Sequence, residues 1–586
     1  MRDTKRNEFV RSTNSRRRAG IAAALAIALG SASGATHAAL DCASLTTVTP
    51  EASTITSAAL VTPPATIGGA AVTVPFCRVQ GTARPSFDSE IKFEVWLPPT
   101  SGDWTGRMKV NGTGGYAGAT PFARLAQDIG GGFVTAGSNM GHDGGESANW
   151  TLGHPEKVKD WGLRAHYFVA TAAKTLSQAF YDKPVSHSYF EGCSNGGRQA
   201  MMMAQNYPEL FDGIVSGAPS MFYPDLLFWL LWTGKNQTPV LGQPAVITSA
   251  KRALITQRVL QACDAIDGLA DGQITNPRAC VFDIDSIGPA GDGTLTAAEL
   301  AVAKAMYAGT TSETGQQRYT GANFGSEADW DPNFADNGGY GPFIGHYVYS
   351  LLSPPFEWRR DINFSTVYDE AKVALTPITA APSPDLTAFK NHGGKLIHYH
   401  GLNDSVVPPD GSIAYLHALT QFEKLRNLPK PAFDQQIEKL TPQVVAATEQ
   451  AFLKQVQEYH RLFMLPAVGH CGGSTGPNAI GGGAPEPPAA YRDADHHVVS
   501  AVIKWVEEGV APEKIIATRF ASGAVVRQRP VCPYPAQATY DGAGNINDAA
   551  SFSCETPKLQ ERTMAPGEIL MIQNSLRQRD LYLPNR

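Results

Sequence analysis

The sequence predicts an α/β fold, with a mostly parallel sheet covered by helices on both faces and a large inserted lid domain. Three observations point there. Short β-branched and aromatic runs alternate with stretches of helical apolar spacing, except in an atypical middle region. Gly192-Cys193-Ser194-Asn195-Gly196 reads G-x-S-x-G and falls between a predicted strand and a predicted helix. Asp404 and His470 each follow the end of a later predicted strand, so the chain offers Ser, Asp and His in that order.

The elements follow in chain order. Arg16, Arg17 and Arg18 precede an alanine-rich apolar run from Ala19 to Leu29, and small residues end in Ala35-Thr36-His37-Ala38. This is the build of a secretory signal peptide over 1–38, cleaved after Ala38. The run is shorter than the ~20 residues a spanning helix needs, which disfavours an uncleaved membrane anchor. Ser15-Arg16-Arg17 is an incomplete twin-arginine pattern, so ordinary secretion is expected.

Ala71–Val74 and Ile91–Leu97 read as strands by alternation. Met108–Val110 runs into the glycine-rich turn Asn111–Tyr116, which could aim backbone N–H groups at one point. Helical spacing covers Leu163–Phe180. Ser188–Glu191 reads as the strand entering the Ser194 turn, Gly197–Tyr207 as the helix leaving it, and Asp212–Gly217 as the next strand. Met201, Met202 and Met203 are expected to fill the core against the sheet.

Region 220–394 breaks the alternation. It is rich in Trp, Tyr, Phe, Pro and Gly, as in Phe228-Trp229-Leu230-Leu231-Trp232, and reads as a lid over Ser194. Lys395–His400 and Leu462–Leu465 resume the sheet, and Asp495–Glu508 is a helix on the spacing Val498, Val499, Val502, Trp505, Val506. The catalytic domain is therefore expected over 39–219 and 395–586.

Composition is that of a soluble globular chain: 586 residues, 43% hydrophobic, 17% charged, net charge −6. No basic stripe favours nucleic acid, and no charge run favours a polyionic partner. Eight cysteines all lie beyond the signal segment, and C-x-x-C is absent, so disulfides are expected in preference to zinc. Nothing in the sequence sets an oligomeric state.

The order Ser194, Asp404, His470 is the triad order of α/β-hydrolases. His470 would take the Ser194 proton and return it to a leaving alcohol, while Asp404 would hold its tautomer. Asn195 N–H and an N–H of Gly114 or Gly115 would form the oxyanion hole. Asp410 is an alternative acid. His398 and His400 compete with His470, but as flanks of an apolar strand they read as supporting residues.

The Cys-Ser pair at 193–194, the H-G-x-x-D of His400–Asp404 and the His-Cys pair at 470–471 resemble the tannase and feruloyl esterase family of serine hydrolases. The resemblance spans roughly the whole exported chain. It implies an α/β-hydrolase fold, an acyl-enzyme on Ser194 and hydrolysis of small aromatic acid esters. The family also includes mono(2-hydroxyethyl) terephthalate hydrolases, so one particular acid does not follow. A different possibility is a binding protein for aromatic ligands. Arg359 and Arg360 are candidate partners for a substrate carboxylate or members of a surface ion pair.

The resemblance also implies a Cys193–Cys471 disulfide, which would tie the serine turn to the histidine loop. Sequence does not fix the other pairings; nearness suggests Cys263–Cys280, Cys532–Cys554 and Cys42–Cys77. Finally, Asp264, Asp267 and Asp271 share one short glycine-containing loop, a hard-oxygen set suited to calcium. An EF-hand is excluded because its closing glutamate is missing at the expected spacing. The family's pattern adds the carbonyls of Leu269 and Gln273, for a structural Ca2+ in the lid. A solvated acidic loop is the other reading.

Overall fold

A nine-stranded sheet organises the computed structural model, which describes residues 41–144, 148–349, 357–557 and 559–578. The signal peptide expected over 1–38 lies outside the described residues. Residues 39–586 form one compact unit.

The chain opens with β1 (Ser53–Val61), a small hairpin of β2 (Ala65–Ile67) and β3 (Ala70–Val72), then β4 (Phe76–Ala83) and β5 (Ile91–Leu97). There follow β6 (Arg107–Asn111), β7 (Val134–Ser138), β8 (His187–Cys193), β9 (Gly213–Gly217), β10 (Lys395–Gly401) and β11 (His460–Leu465). The order across the main sheet is β1-β4-β5-β7-β6-β8-β9-β10-β11. The pairs β1/β4, β4/β5 and β5/β7 are antiparallel, and every pair from β7/β6 onward is parallel. The fold is an α/β hydrolase.

Parallel strands buried on both faces must be apolar on both. Phe190, Ile214, Leu396 and Leu462 face one core, which also takes the helices Ala165–Tyr181 and Asn195–Asn206. Their neighbours Tyr189, Val215, Ile397 and Phe463 face the other, against the helix Val498–Glu508. Met201, Met202 and Met203 are almost fully buried, as core filler should be.

Four differences from the sequence reading have physical causes. Ala71–Val74 does not join the sheet: Ala70–Val72 pairs with Ala65–Ile67 in the separate hairpin. The first of the two long helices begins at Ala165, after the π-helical turn Asp160–Arg164. Helix Asn195–Asn206 begins two residues early, because the serine turn feeds straight into it. Val498–Glu508 begins three residues later than Asp495, where His497 Nδ1 caps Ser500 N–H at 3.4 Å.

Among the described residues, region 220–394 supplies no strand to the sheet. Its described residues build helices, the longest being Tyr223–Gln237, Ser249–Cys263, Ala297–Ala308 and Thr366–Thr379. After β11 come two further hairpins, β12 (Ile515–Ala521) with β13 (Ala524–Val531), and β14 (Gln537–Tyr540) with β15 (Phe552–Glu555). Among the described residues no helix is long and apolar enough to cross a membrane.

All four expected disulfides are present: Cys42–Cys77, Cys193–Cys471, Cys263–Cys280 and Cys532–Cys554. Cys532–Cys554 ties the β13 end to β15, and Cys42–Cys77 ties the first described turn to β4.

Candidate active site

Ser194 sits between the C-terminal end of β8 and the helix Asn195–Asn206 with φ +64° and ψ −124°. A β-carbon residue rarely holds this conformation, and the neighbouring chain must over-determine it. Here Ser194 N–H donates to Gly217 O at 2.9 Å, and Arg198 N–H and Ser220 N–H both donate to Ser194 O. Two glycines permit the packing. A Cβ on Gly192 would lie 2.6 Å from the Gly196 backbone, and one on Gly197 would lie 2.2 Å from Gly217 O. Parallel sheets of this kind place functional groups at the C-terminal ends of their strands.

Asp404 lies in the loop after β10 and His470 in the loop after β11. His470 Nε2 is 2.8 Å from Ser194 Oγ, and His470 Nδ1 is 2.7 Å from Asp404 Oδ2. Asp404 is fully buried. Burial alone would push its pKa up, but the His470 and His400 imidazoles outweigh it and hold the carboxyl well below the ordinary range. Oδ1 accepts from Val406 N–H at 2.9 Å and Val407 N–H at 2.8 Å.

The competing residues stand elsewhere. Asp410 is bound to Arg278 at 2.7 Å and to Arg562, in a buried network with Glu568. His400 Nε2 lies 3.1 Å from Asp404 Oδ2, and neither His398 nor His400 lines the cavity that holds Ser194.

Asn195 opens the helix after Ser194, so its N–H precedes the intrahelical ladder. Gly114 and Gly115 line the same cavity as Ser194, Asn195 and His470. Their loop is pinned by Gln199, one turn into the helix: Gln199 Oε1 accepts from Thr113 N–H at 2.9 Å, and His166 Nε2 lies 2.9 Å from the same oxygen. The motif gave no sign of this buried pair, although Gln199 is the fifth residue after the serine.

The cavity has a volume of about 630 Å³. Region 220–394 contributes Tyr223, Leu226, Leu230, Phe334 and Tyr340, and the Asp404 loop contributes Val406 and Val407. Tyr223 stands 5.2 Å from Trp161, ring centre to ring centre, and Tyr340 stands 5.5 Å from Tyr116. The insertion is also stitched to the loops that hold the site. Asn403 Nδ2 donates to Gly325 O at 2.6 Å, Ser405 Oγ to Asp329 O at 2.8 Å, and Ser474 Oγ to Asp329 Oδ2.

Arg359 and Arg360 do not line this cavity. Arg359 is buried against Asp336 and Thr238, and Arg360 pairs with Asp361. Arg124 does line it, paired with Glu486 at 2.5 Å.

In the acidic loop, Asp264 Oδ1 accepts from the N–H groups of Gly272 and Gln273 at 3.0 Å each. Asp267 Oδ1 accepts from Leu269 N–H, and Asp271 pairs with Arg529. The donors are hard oxygens, the chemistry calcium takes. Among the described residues no three His, Cys, Asp or Glu side chains converge as a preformed metal cage.

Comparison with known proteins agrees with this architecture. The tannase and feruloyl esterase family model matches residues 77–344 and 355–555. An uncharacterised esterase of Xanthomonas campestris pv. campestris is 36% identical over 509 residues, covering 82% of this chain and 84% of its own. Feruloyl esterase B of Aspergillus niger is 30% identical over 498 residues, covering 82% and 87%. The crystal structure of feruloyl esterase B from Aspergillus oryzae superposes with a TM-score of 0.74 at 25% identity, over 87% of this chain and 98% of that one. The chain belongs to the tannase and feruloyl esterase family and is a carboxylic-ester hydrolase.

Proposed function

We propose that the protein is an exported hydrolase of small aromatic acid esters, working through an acyl-enzyme on Ser194. The observation that carries this is the unbroken line Ser194 Oγ–His470–Asp404, at 2.8 and 2.7 Å, opening on an aromatic-lined cavity. His470 Nε2 takes the Ser194 proton as Oγ bonds to the ester carbonyl carbon. The carbonyl oxygen becomes an oxyanion facing Asn195 N–H and the Gly114–Gly115 loop; such a donor is worth roughly 3 kcal/mol to the transition state. The intermediate collapses, the carbon–oxygen bond to the alcohol breaks, and His470 returns the proton to that oxygen. Water then attacks the acyl carbon, with His470 again as base, and Ser194 is regenerated. Asp404 keeps the proton on Nδ1 and stabilises the imidazolium.

Four disulfides that use all eight cysteines support an oxidising compartment, and with it the export expected from the first 38 residues. For a mono(2-hydroxyethyl) terephthalate hydrolase, Arg359 and Arg360 are poor carboxylate partners, because both are engaged away from the cavity.

The test is pre-steady-state. Wild-type protein mixed with an activated aryl ester should release a burst of alcohol stoichiometric with enzyme, and Ser194→Ala should release none. A binding protein would show neither burst nor turnover. Methyl esters of hydroxycinnamic or hydroxybenzoic acids should have higher kcat/KM than aliphatic ones, since a flat ring fills the cavity with little rotamer entropy to lose. Faster cleavage of long aliphatic esters than of every aromatic ester would refute the substrate reading.

We also propose that Asp264, Asp267 and Asp271, with the Leu269 and Gln273 carbonyls, hold a structural calcium ion. Three carboxylates within one loop support it, and the Arg529 pair on Asp271 opposes it. Calcium at about 100 times its Kd should add roughly 2.7 kcal/mol of stability. Chelator should therefore lower Tm with little change in the burst. A Tm that ignores both chelator and added calcium would remove the ion from the structure.

A further inference from the structure

Behind the triad, a line of buried polar side chains continues where the catalytic chemistry has no evident need of it. Asp404 Oδ2 accepts more than His470: His400 Nε2 lies 3.1 Å from the same oxygen. His400 Nδ1 lies 2.6 Å from Ser412 Oγ, and Ser412 Oγ lies 2.8 Å from His398 Nε2. His398 Nδ1 lies 3.4 Å from His460 Nε2. His398, His400, His460 and Asp404 are fully buried, and Ser412 is nearly so.

The strand geometry makes the line. Residues two apart on β10 share a face, so His398 and His400 point the same way. Ser412, in the first turn of the helix Asp410–Leu425, bridges their rings. His460 begins β11, the strand beside β10.

Hydrogen-bond chemistry fixes the direction. His400 Nε2 faces two acceptors, Asp404 Oδ2 and Val407 O at 2.9 Å, so it carries a proton. With Nε2–H fixed, a neutral His400 accepts at Nδ1 from the Ser412 hydroxyl. Ser412 then accepts from His398 Nε2–H, and His398 Nδ1 accepts from His460 Nε2–H. The one ring nitrogen left over is His460 Nδ1, which meets no other residue in hydrogen-bond geometry; the only backbone group acting on this ring is His460's own. The reverse direction would put a second proton on His400, and burying that added charge is the costlier case. Burial also disfavours charge on His398 and His460.

We propose that His400 is a positioning residue for the triad, held by Ser412, His398 and His460 in one directional hydrogen-bond chain that ends on Asp404. This rests on the Ser194–His470–Asp404 reading above. The second N–H on Oδ2 makes the carboxylate a weaker base toward His470. It keeps the shared proton on His470 Nδ1, and it fixes the carboxylate plane together with Val406 and Val407 N–H. Asp329 and Tyr319, both from the insertion, also interact electrostatically with Asp404. Neither belongs to the chain.

The experiment compares pH profiles of kcat/KM for His400→Phe, His400→Gln and Ser412→Ala, with Ser194→Ala as control. Without the His400 N–H, Asp404 pulls harder on His470, which then keeps its proton to higher pH. The acid limb of His400→Phe should move upward by about half to one pH unit. His400→Gln, whose amide can donate to Oδ2, should restore the limb toward wild type. Ser412→Ala, which only frees the ring, should move it upward by less. 15N-histidine spectra of the wild type should show His398 and His400 as neutral Nε2–H tautomers.

A space-filling role would lower Tm or kcat in all three variants and leave the acid limb in place. That result, or glutamine behaving as phenylalanine does, overturns the inference. If His400→Phe does not fold, Ser412→Ala and His400→Gln decide alone: limbs that coincide with the wild type in Ser412→Ala refute the chain. Turnover remaining in Ser194→Ala would instead refute the triad, so the two failures are distinguishable.

Discussion

Each oxygen of Asp404 already meets two N–H donors: Val406 and Val407 on Oδ1, His470 and His400 on Oδ2. An amide cannot replace that carboxylate. In Asp404→Asn, whichever way the side chain turns, its NH2 faces donors. If it turns to Oδ2, His470 is driven to the wrong tautomer. If it turns to Oδ1, two backbone N–H groups lose their acceptor. Kcat should fall by about 10³–10⁴-fold, and stability by about 1–3 kcal/mol for the buried donors left unpaired. Single-turnover kinetics and urea melts measure the two effects separately. An Asn variant with unchanged stability would mean that the donor count around Asp404 is wrong. Ser194, Asp404 and His470 were legible because each sits in a motif whose neighbours are also informative: Cys193, the H-G of His400–Gly401, and Cys471. The support of the site was not. His400 and His398 read as two histidines on an apolar strand, and their role depends on Ser412 and His460, 12 and 62 residues away. Gln199 and His166 were hidden for the same reason, since pinning a loop leaves no spacing rule in the sequence.

At the next scale, the Cys193–Cys471 disulfide joins the β8 turn that carries Ser194 to the β11 loop that carries His470, across a sequence separation of 278 residues. In a chain-entropy description, closing so long a loop removes roughly 5 kcal/mol of unfolded-state freedom. Its other effect is local: it restrains the backbone on either side of the Ser194–His470 hydrogen bond. Cys193→Ala with Cys471→Ala should therefore lower Tm and kcat/KM together, while peptide mapping of the unreduced wild type recovers the linked pair. A double variant that loses stability but keeps wild-type kcat/KM would make the bridge a staple only. Elements next to punctuation were readable: β8, β9, β10 and β11 are apolar runs ended by glycine or loop residues. The unread strands lack that signal. β1 (Ser53–Val61) lies at the sheet edge and exposes both faces in part, so its pattern does not alternate cleanly. β7 (Val134–Ser138) is wholly buried but is built from Val, Thr, Ala, Gly and Ser, whose small side chains carry little hydrophobic signal. One helix of the insertion was hidden by its own burial: Tyr223–Gln237 is covered on almost every side, so no polar face marks its period.

Over the whole molecule, the same burial makes stability depend on pH through histidine. His142 stacks on Trp150 and bonds to Tyr116 O; His166 bonds to Gln199; His398 and His460 belong to the line behind Asp404. Burial pushes His142 and His166 down to about 4, His460 down to about 3, and His398 well below its ordinary value. In the unfolded chain each titrates near 6.5. Between 6.5 and 4 the unfolded state therefore binds protons that the fold refuses, and stability falls as pH falls. From pH 7 to 5.5 each such histidine costs roughly 1 kcal/mol by linkage. Glu486 extends the trend at lower pH. Although burial alone would raise it, its neighbours His497, Arg124 and Lys109 hold it down to about 2, so its contribution is present above about 4.5 and is lost toward 2. Burial raises Glu327 and Asp329, which act in the opposite sense within the carboxylate range. The histidine slope is accordingly read between pH 7 and 5.5. The urea midpoint should fall steadily across that interval, and His166→Gln or His460→Phe, where folded, should each flatten the slope by one proton's worth. A midpoint that stays level from pH 7 to 5.5 would show that these histidines take up protons within the fold, and the neutral line behind Asp404 would then have to be redrawn with a charge in it.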